Sequence, residues 1–182
     1  MSFTFVNART FKKFPLVSVM GLAFVLSACT EVESSEAEQT KGVDAQTSAL
    51  SQAMTVYKSP TCGCCSDWIT HAEQHGFSLT SEHPNDLAGL KTELGIGPKY
   101  RSCHTAVTQD GYVFEGHIPA KLVEQFLKAP VENAIGLSVP GMPAGSPGME
   151  MGDRFSPYPV VVLMKDGTHQ VYAMINQQDE QY

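Results

Sequence analysis

Past Lys13 the chain has no run of basic residues. Lysine and arginine number 12 against 19 aspartates and glutamates, for a formal net charge of −7. The positive stripe that tracks a phosphate backbone is missing, which argues against nucleic acid as a partner. Long hydrophobic runs are also missing. The apolar stretch Phe14 to Ala28 is too short to be read as a spanning helix, which takes about 20 residues. Residues 30–52 have almost no apolar content, so no core can form there. What remains is a chain of 182 residues with a 42% hydrophobic share, enough for one globular domain plus extras.

The first 28 residues read as a targeting segment. Arg9, Lys12 and Lys13 form a basic start with no acid, and the apolar stretch ends Leu26-Ser27-Ala28-Cys29. This resembles a bacterial lipoprotein signal, cut before Cys29 so that its thiol carries lipid. The residue after Cys29 is Thr30 rather than Asp, which favours sorting to the outer membrane. Removing residues 1–28 takes away three positive charges and no negative ones, from −7 to −10. Residues 29–52 follow as an acidic flexible tether carrying Glu31, Glu33, Glu36, Glu38 and Asp44.

Three of the five cysteines fall within four positions, in Thr61-Cys62-Gly63-Cys64-Cys65. A strand pattern, Met54 to Lys58, precedes them. A helix pattern follows, with Cys65, Trp68, Ile69 and Ala72 on one face and Gly76 at its end. The thiols therefore sit over a helix N-terminus, where free backbone N–H groups and the helix dipole favour thiolate. Next come a strand at Phe77–Glu82 and a helix at Asp86–Leu94 capped by Asn85 and stopped by Gly95. A hairpin follows, Cys103–Gln109 and Tyr112–His117 around Asp110-Gly111. Then a helix starts at Pro119 with Leu122, Val123, Phe126 and Leu127 facing the core. The stretch from Gly136 to Met151 reads as neither helix nor strand. A last hairpin pairs Val160–Met164 with Thr168–Met174, and residues from Gln177 are expected to fray.

This βαβαββα order, with thiols after the first strand, resembles the thioredoxin–glutaredoxin fold. The expected architecture is α/β (α+β): a thioredoxin-like central mixed sheet with flanking helices at 53–129, plus a loop-and-hairpin extension at 130–182. Cys62 and Cys65 take the two redox places of a Cys-X-X-Cys motif and would carry any catalytic step. Thioredoxin-like proteins place a cis-proline before the third strand; here that place is held by Ser102-Cys103-His104. Pro159 is a weaker rival, because no helix follows its strand.

Wider motifs narrow the resemblance. They are Cys62-Gly63-Cys64-Cys65, Ser102-Cys103-His104-Thr105-Ala106, Gly111-Tyr112 with Glu115-Gly116-His117-Ile118-Pro119, and Val139-Pro140-Gly141-Met142-Pro143 with Gly145-Ser146-Pro147-Gly148-Met149-Glu150. Together they closely resemble the CopG-type periplasmic copper-resistance proteins over residues 53–174. That resemblance implies copper bound at the cysteine cluster with help from the C-terminal extension, and a role in interconverting Cu(I) and Cu(II).

The residue chemistry bears on the same question. Thiolates suit Cu(I), zinc and iron–sulfur clusters, while methionine thioethers point more narrowly to copper. A single tetrahedral zinc draws its four thiols from two separated pairs. Three ligands crowded into Cys62–Cys65 fit bridging of several Cu(I) ions better, with Cys103 as the fourth sulfur. A plain Cys62–Cys65 redox disulfide and a buried apolar Cys103 are the alternatives. Two turn residues at Asp110-Gly111 would set His104 opposite His117, with Cβ atoms about 4.5–5.5 Å apart. Strict alternation would then send Cys103 to the other face, unless it lies before the strand. His117 and His104 are candidate ligands, as are Met142 and Met149, with Met151 behind them. His71, His75, His83 and His169 read as surface residues. Three functions stay open: a copper-binding oxidoreductase, a non-catalytic Cu(I) chaperone or store, and a general thiol–disulfide oxidoreductase. The expected partners are copper ions, a copper efflux system or periplasmic copper carrier, and the membrane through the lipid at Cys29, with the chain a monomer.

Overall fold

The computed structural model describes residues 52–182. The expected signal segment at 1–28, the lipidation site Cys29 and all but the last residue of the tether lie outside them. Seven strands form one mixed sheet: β1 (Ala53–Lys58), β2 (Ser78–Glu82), β3 (His104–Thr108), β4 (Val113–Glu115), β5 (Ala134–Ser138), β6 (Tyr158–Met164) and β7 (His169–Ile175). Their order across the sheet is β2-β1-β3-β4-β5-β6-β7. Among the described residues three α-helices cover it: α1 (Gly63–Gln74), α2 (Leu87–Glu93) and α3 (Ala120–Lys128). β1 runs parallel to β2 and antiparallel to β3, and β3 is antiparallel to β4. This is the thioredoxin-like arrangement. The C-terminal strands extend the same sheet beyond β4.

Alternation along the strands divides the interior into two layers. On one face Val56, Ala106 and Phe114 meet Trp68 and Ala72 of α1 and Val123 and Phe126 of α3. On the other, Val113, Val161 and Leu163 pack with Ile96 and Tyr100, in the segment that follows α2. Two hydrogen bonds fasten α1 to the chain entering α3. Trp68 Nε1–H donates to the Ile118 carbonyl at 2.8 Å, and the Ala120 N–H donates to His71 Nε2 at 3.0 Å.

Several expectations need correction. The β3–β4 register pairs Thr105 with Glu115 and Ala106 with Phe114, one residue off the expected pairing. The loop has three residues, 109–111. Tyr112 O accepts from the Thr108 N–H, and Gly111 adopts the positive φ of a bulged turn. His104 therefore stands opposite Gly116, whose N–H donates to the His104 carbonyl. β5 starts ahead of the stretch read as irregular and runs into it, through Gly136 to Ser138. Gly136, where that stretch was taken to begin, lies where any Cβ would strike the Val113 backbone at 1.8 Å. Asp86, not Asn85, caps α2, accepting from the Gly89 N–H. The C-terminus does not fray: Gln178–Gln181 is a 3-10 turn, and the Gln181 side chain is buried between Tyr158 and the Gly145 carbonyl. His71 is buried rather than exposed, because it accepts from α3's first N–H.

Candidate metal centre

Cys62 is the N-cap residue of α1, and Cys64 and Cys65 lie in its first turn. Its side chain makes no cap bond, which leaves the first N–H groups of α1 without a partner from the Cys62 side chain. Cys65 points inward with Trp68 and is fully buried, while Cys62 and Cys64 are half-buried. Cys62 and Cys65 form a disulfide, and Cys64 Sγ stands 3.6 Å from Cys62 Sγ. Cys103 completes the group: the four sulfurs lie within 4.8 Å of one another. Cys103 reaches them because β3 begins at His104. Ahead of the ladder, it escapes the alternation that would have sent it to the far face.

Cys103 also stands between two imidazoles. Its sulfur is 3.3 Å from His104 Nδ1 and 3.0 Å from His117 Nε2, and the three groups form a second cluster of possible ligands. The two rings meet edge to face, 5.1 Å apart. This closeness does not come from strand pairing. Gly116 (φ +79) turns the chain after β4 and swings His117 back over the site. A Cβ there would lie 2.5 Å from Ser102 Cβ, so the turn needs glycine.

The tautomer of His117 follows from its partner. Nδ1 lies 2.8 Å from the Pro147 carbonyl, which can only accept. Nδ1 therefore carries the proton, and Nε2 presents its lone pair to Cys103. A carbonyl that orients an imidazole in this way is a recurrent support of metal-binding histidines. Burial lowers the His117 pKa, opposed by the Pro147 carbonyl. Burial lowers that of His104 further, with His117, Lys91 and Lys58 adding to it. Both rings are neutral near pH 7. Burial, and next to it the neighbouring Cys64, pushes the Cys103 thiol up to about 12, so it holds its proton until something displaces it. His104 Nε2 is buried with no hydrogen-bond partner. The Cys103 sulfur flanked by His104 Nδ1 and His117 Nε2, with three more sulfurs beside it, is a donor set that fits a soft or borderline metal ion.

The segment between β5 and β6 lies over this corner. Gly148 (φ +83) touches the start of α1 so closely that a Cβ would lie 2.7 Å from the Cys64 carbonyl and 2.7 Å from the Trp68 nitrogen. Of the methionines named from sequence, Met142 and Met151 are mostly exposed, at 54% and 58%. Met149 is half-buried and follows Gly148. Three features escaped sequence reading: the Pro147 carbonyl, the bonds of Trp68 and His71 to the α3 entry, and a buried ion pair, Lys91–Glu115, behind Ser102. Only the last left a trace in the sequence, a glutamate ending the otherwise apolar strand Val113–Glu115.

Fold and site together define a thioredoxin-like domain bearing a four-cysteine, two-histidine cluster. Two solved structures resemble it, "Copper resistance protein copG- Form 1" and its "Form 2". Each is 42% identical with a TM-score of 0.64, and they cover 69% and 68% of this chain and 98% and 97% of their own. A family described as "Protein of unknown function, DUF411" matches residues 100–149. No curated protein matches. The chain belongs to the CopG family of copper resistance proteins.

Proposed function

We propose that the chain is a periplasmic copper-binding protein of copper resistance. It holds several Cu(I) ions bridged by the thiolates of Cys62, Cys64, Cys65 and Cys103. His117 and His104 contribute imidazole nitrogen, and Met142 or Met149 a thioether. The observation that carries this reading is the convergence of Cys103 on the Cys62–Cys65 corner, four sulfurs within 4.8 Å. Three of them crowd one helix start within four residues, which suits bridging of several small univalent ions better than a single tetrahedral zinc, whose thiols come from two separated pairs. Cys62 and Cys65 are the redox-active pair: an external two-electron thiol reductant opens their disulfide to the two thiols, and when the pair closes again it releases two protons and gives two electrons to two Cu(II), which become two Cu(I).

Lipid on Cys29 anchors the chain to the outer membrane through the acidic tether. From there, as a monomer, it exchanges copper with an efflux system or periplasmic carrier. These statements rest on the signal-like segment and the family's name.

One observation favours a second reading. The Cys62–Cys65 disulfide is also the resting state of a thiol–disulfide oxidoreductase. Visible absorption of the copper-loaded protein, with and without oxidant, separates these readings. Colour that appears and fades reversibly supports the copper oxidoreductase. A colourless, Cu(I)-saturated, redox-inert protein reduces it to a chaperone or store. Efficient insulin reduction by the metal-free protein supports the thiol–disulfide reading.

A further inference from the structure

Ser102 lies in no strand, yet both polar groups of its backbone end on one buried ion pair. Its N–H donates to Glu115 Oε1, and its carbonyl accepts from Lys91 Nζ at 2.8 Å. Lys91 Nζ also donates to Glu115 Oε1, and Thr105 Oγ1 donates to Oε2. The two charged side chains are 4% and 0% exposed. As a source of stability such a pair is weak, since well-packed apolar replacements of both partners are often neutral or better. Its geometry offers a different role. Only a paired donor and acceptor can grip the N–H and the carbonyl of one residue together.

Ser102 is held from other sides as well. Its Oγ donates to the Gly141 carbonyl, and Gly116 packs against its Cβ. The next residue is Cys103, which the β3 ladder does not reach because that strand starts at His104. Thr105 and Glu115 lie on the α2 face of the sheet, while His104 packs on Trp68 of α1 on the other. We infer that Lys91 and Glu115 are positioning residues for Cys103, clamping the Ser102 peptide from behind the sheet and so setting where the fourth sulfur stands. Only the copper arm of the test below rests on the proposed function.

Lys91→Met/Glu115→Leu removes both charges at once, and apolar filling of such a site generally permits folding. In the metal-free protein with the Cys62–Cys65 bridge intact, iodoacetamide labelling is followed by peptide mass spectrometry. Freed from the clamp, Cys103 in the double variant is expected to react about 10-fold faster than Cys103 of wild type labelled under the same conditions. A folded double variant whose Cys103 reacts at the wild-type rate overturns the assignment. If the double variant does not fold, the wild-type protein still decides. The Ser102 amide is expected to exchange with solvent as slowly as those of β3, and exchange at the rate of the exposed Gln109 amide overturns the clamp. In the copper arm, Cu(I) affinity is expected to fall about 10-fold in the double variant, and equal affinity counts against positioning. A wild-type protein that takes up no Cu(I) refutes the copper reading, leaving labelling and exchange to judge the clamp.

Discussion

His117 Nε2 stands 3.0 Å from Cys103 Sγ, with its lone pair facing the sulfur because the opposite ring nitrogen donates to a carbonyl. A ring so oriented accepts a hydrogen bond from the thiol, and would offer the same lone pair to a metal ion. His117→Gln keeps a donor that can reach the Pro147 carbonyl and removes the ring nitrogen that faces Cys103. Competition with a chromophoric Cu(I) chelator is expected to show at least about a 10-fold loss of affinity, with little change in Tm. Wild-type affinity in this variant would remove His117 from the ligand set.

Gly148→Ala tests whether the segment over the cluster is held by close backbone approach. The added methyl would meet the Cys64 carbonyl and Trp68 nitrogen at 2.7 Å, on a backbone already at φ +83. Overpacking and left-handed strain together are expected to destabilise the fold by about 2–4 kcal/mol. The displaced segment should also expose Cys64 and Cys103 to faster alkylation. An unchanged Tm with unchanged labelling would contradict the described packing.

Acid sensitivity follows from His71. Burial is the main reason its pKa lies lowered to about 4, against 6.5 for an ordinary histidine, with His75 contributing next. Between pH 6.5 and about 4 the unfolded chain takes up this proton and the folded chain does not. Stability is therefore highest above 6.5 and is lost as pH falls through that window. Buried His104 and His117, also lowered, act in the same direction. Thermal melts from pH 7 to 4.5 should show a shallower decline for His71→Gln than for wild type. Identical slopes would mean that His71 titrates freely.

Lys91→Met alone should be far worse than the apolar double replacement. It leaves the Glu115 carboxylate buried without a cation, a loss of about 3–5 kcal/mol. Urea unfolding of the single and double variants measures this directly. A single variant as stable as the double one would show that the carboxylate finds other compensation.

Much of the fold was legible because its signals are local. Trp68 and Ala72 at helical spacing, the alternation of β1 and β3, and the Asp110-Gly111 turn all report on neighbours in sequence. The failures share a cause. β5 was lost at Gly136, whose lack of a side chain serves the approach of β4, a partner distant in sequence. The hairpin register slipped because a three-residue bulged loop and a two-residue turn share the same Asp-Gly signature. The expected meeting of His104 and His117 occurs, but through the turn at Gly116 rather than the register that suggested it. At the site, sequence could name the sulfurs because cysteine chemistry is narrow. It could not find the Pro147 carbonyl or the Lys91–Glu115 clamp, since backbone acceptors and buried ion pairs carry no pattern along the chain.

The most direct test of the central claim is an anaerobic Cu(I) titration of the fully reduced protein, with free thiols counted at each step. The account predicts saturation above one Cu(I) per chain, with Cys62, Cys64, Cys65 and Cys103 all protected from alkylation at the end point. Saturation at one equivalent or fewer, or a Cys103 that stays reactive in the loaded protein, would contradict it.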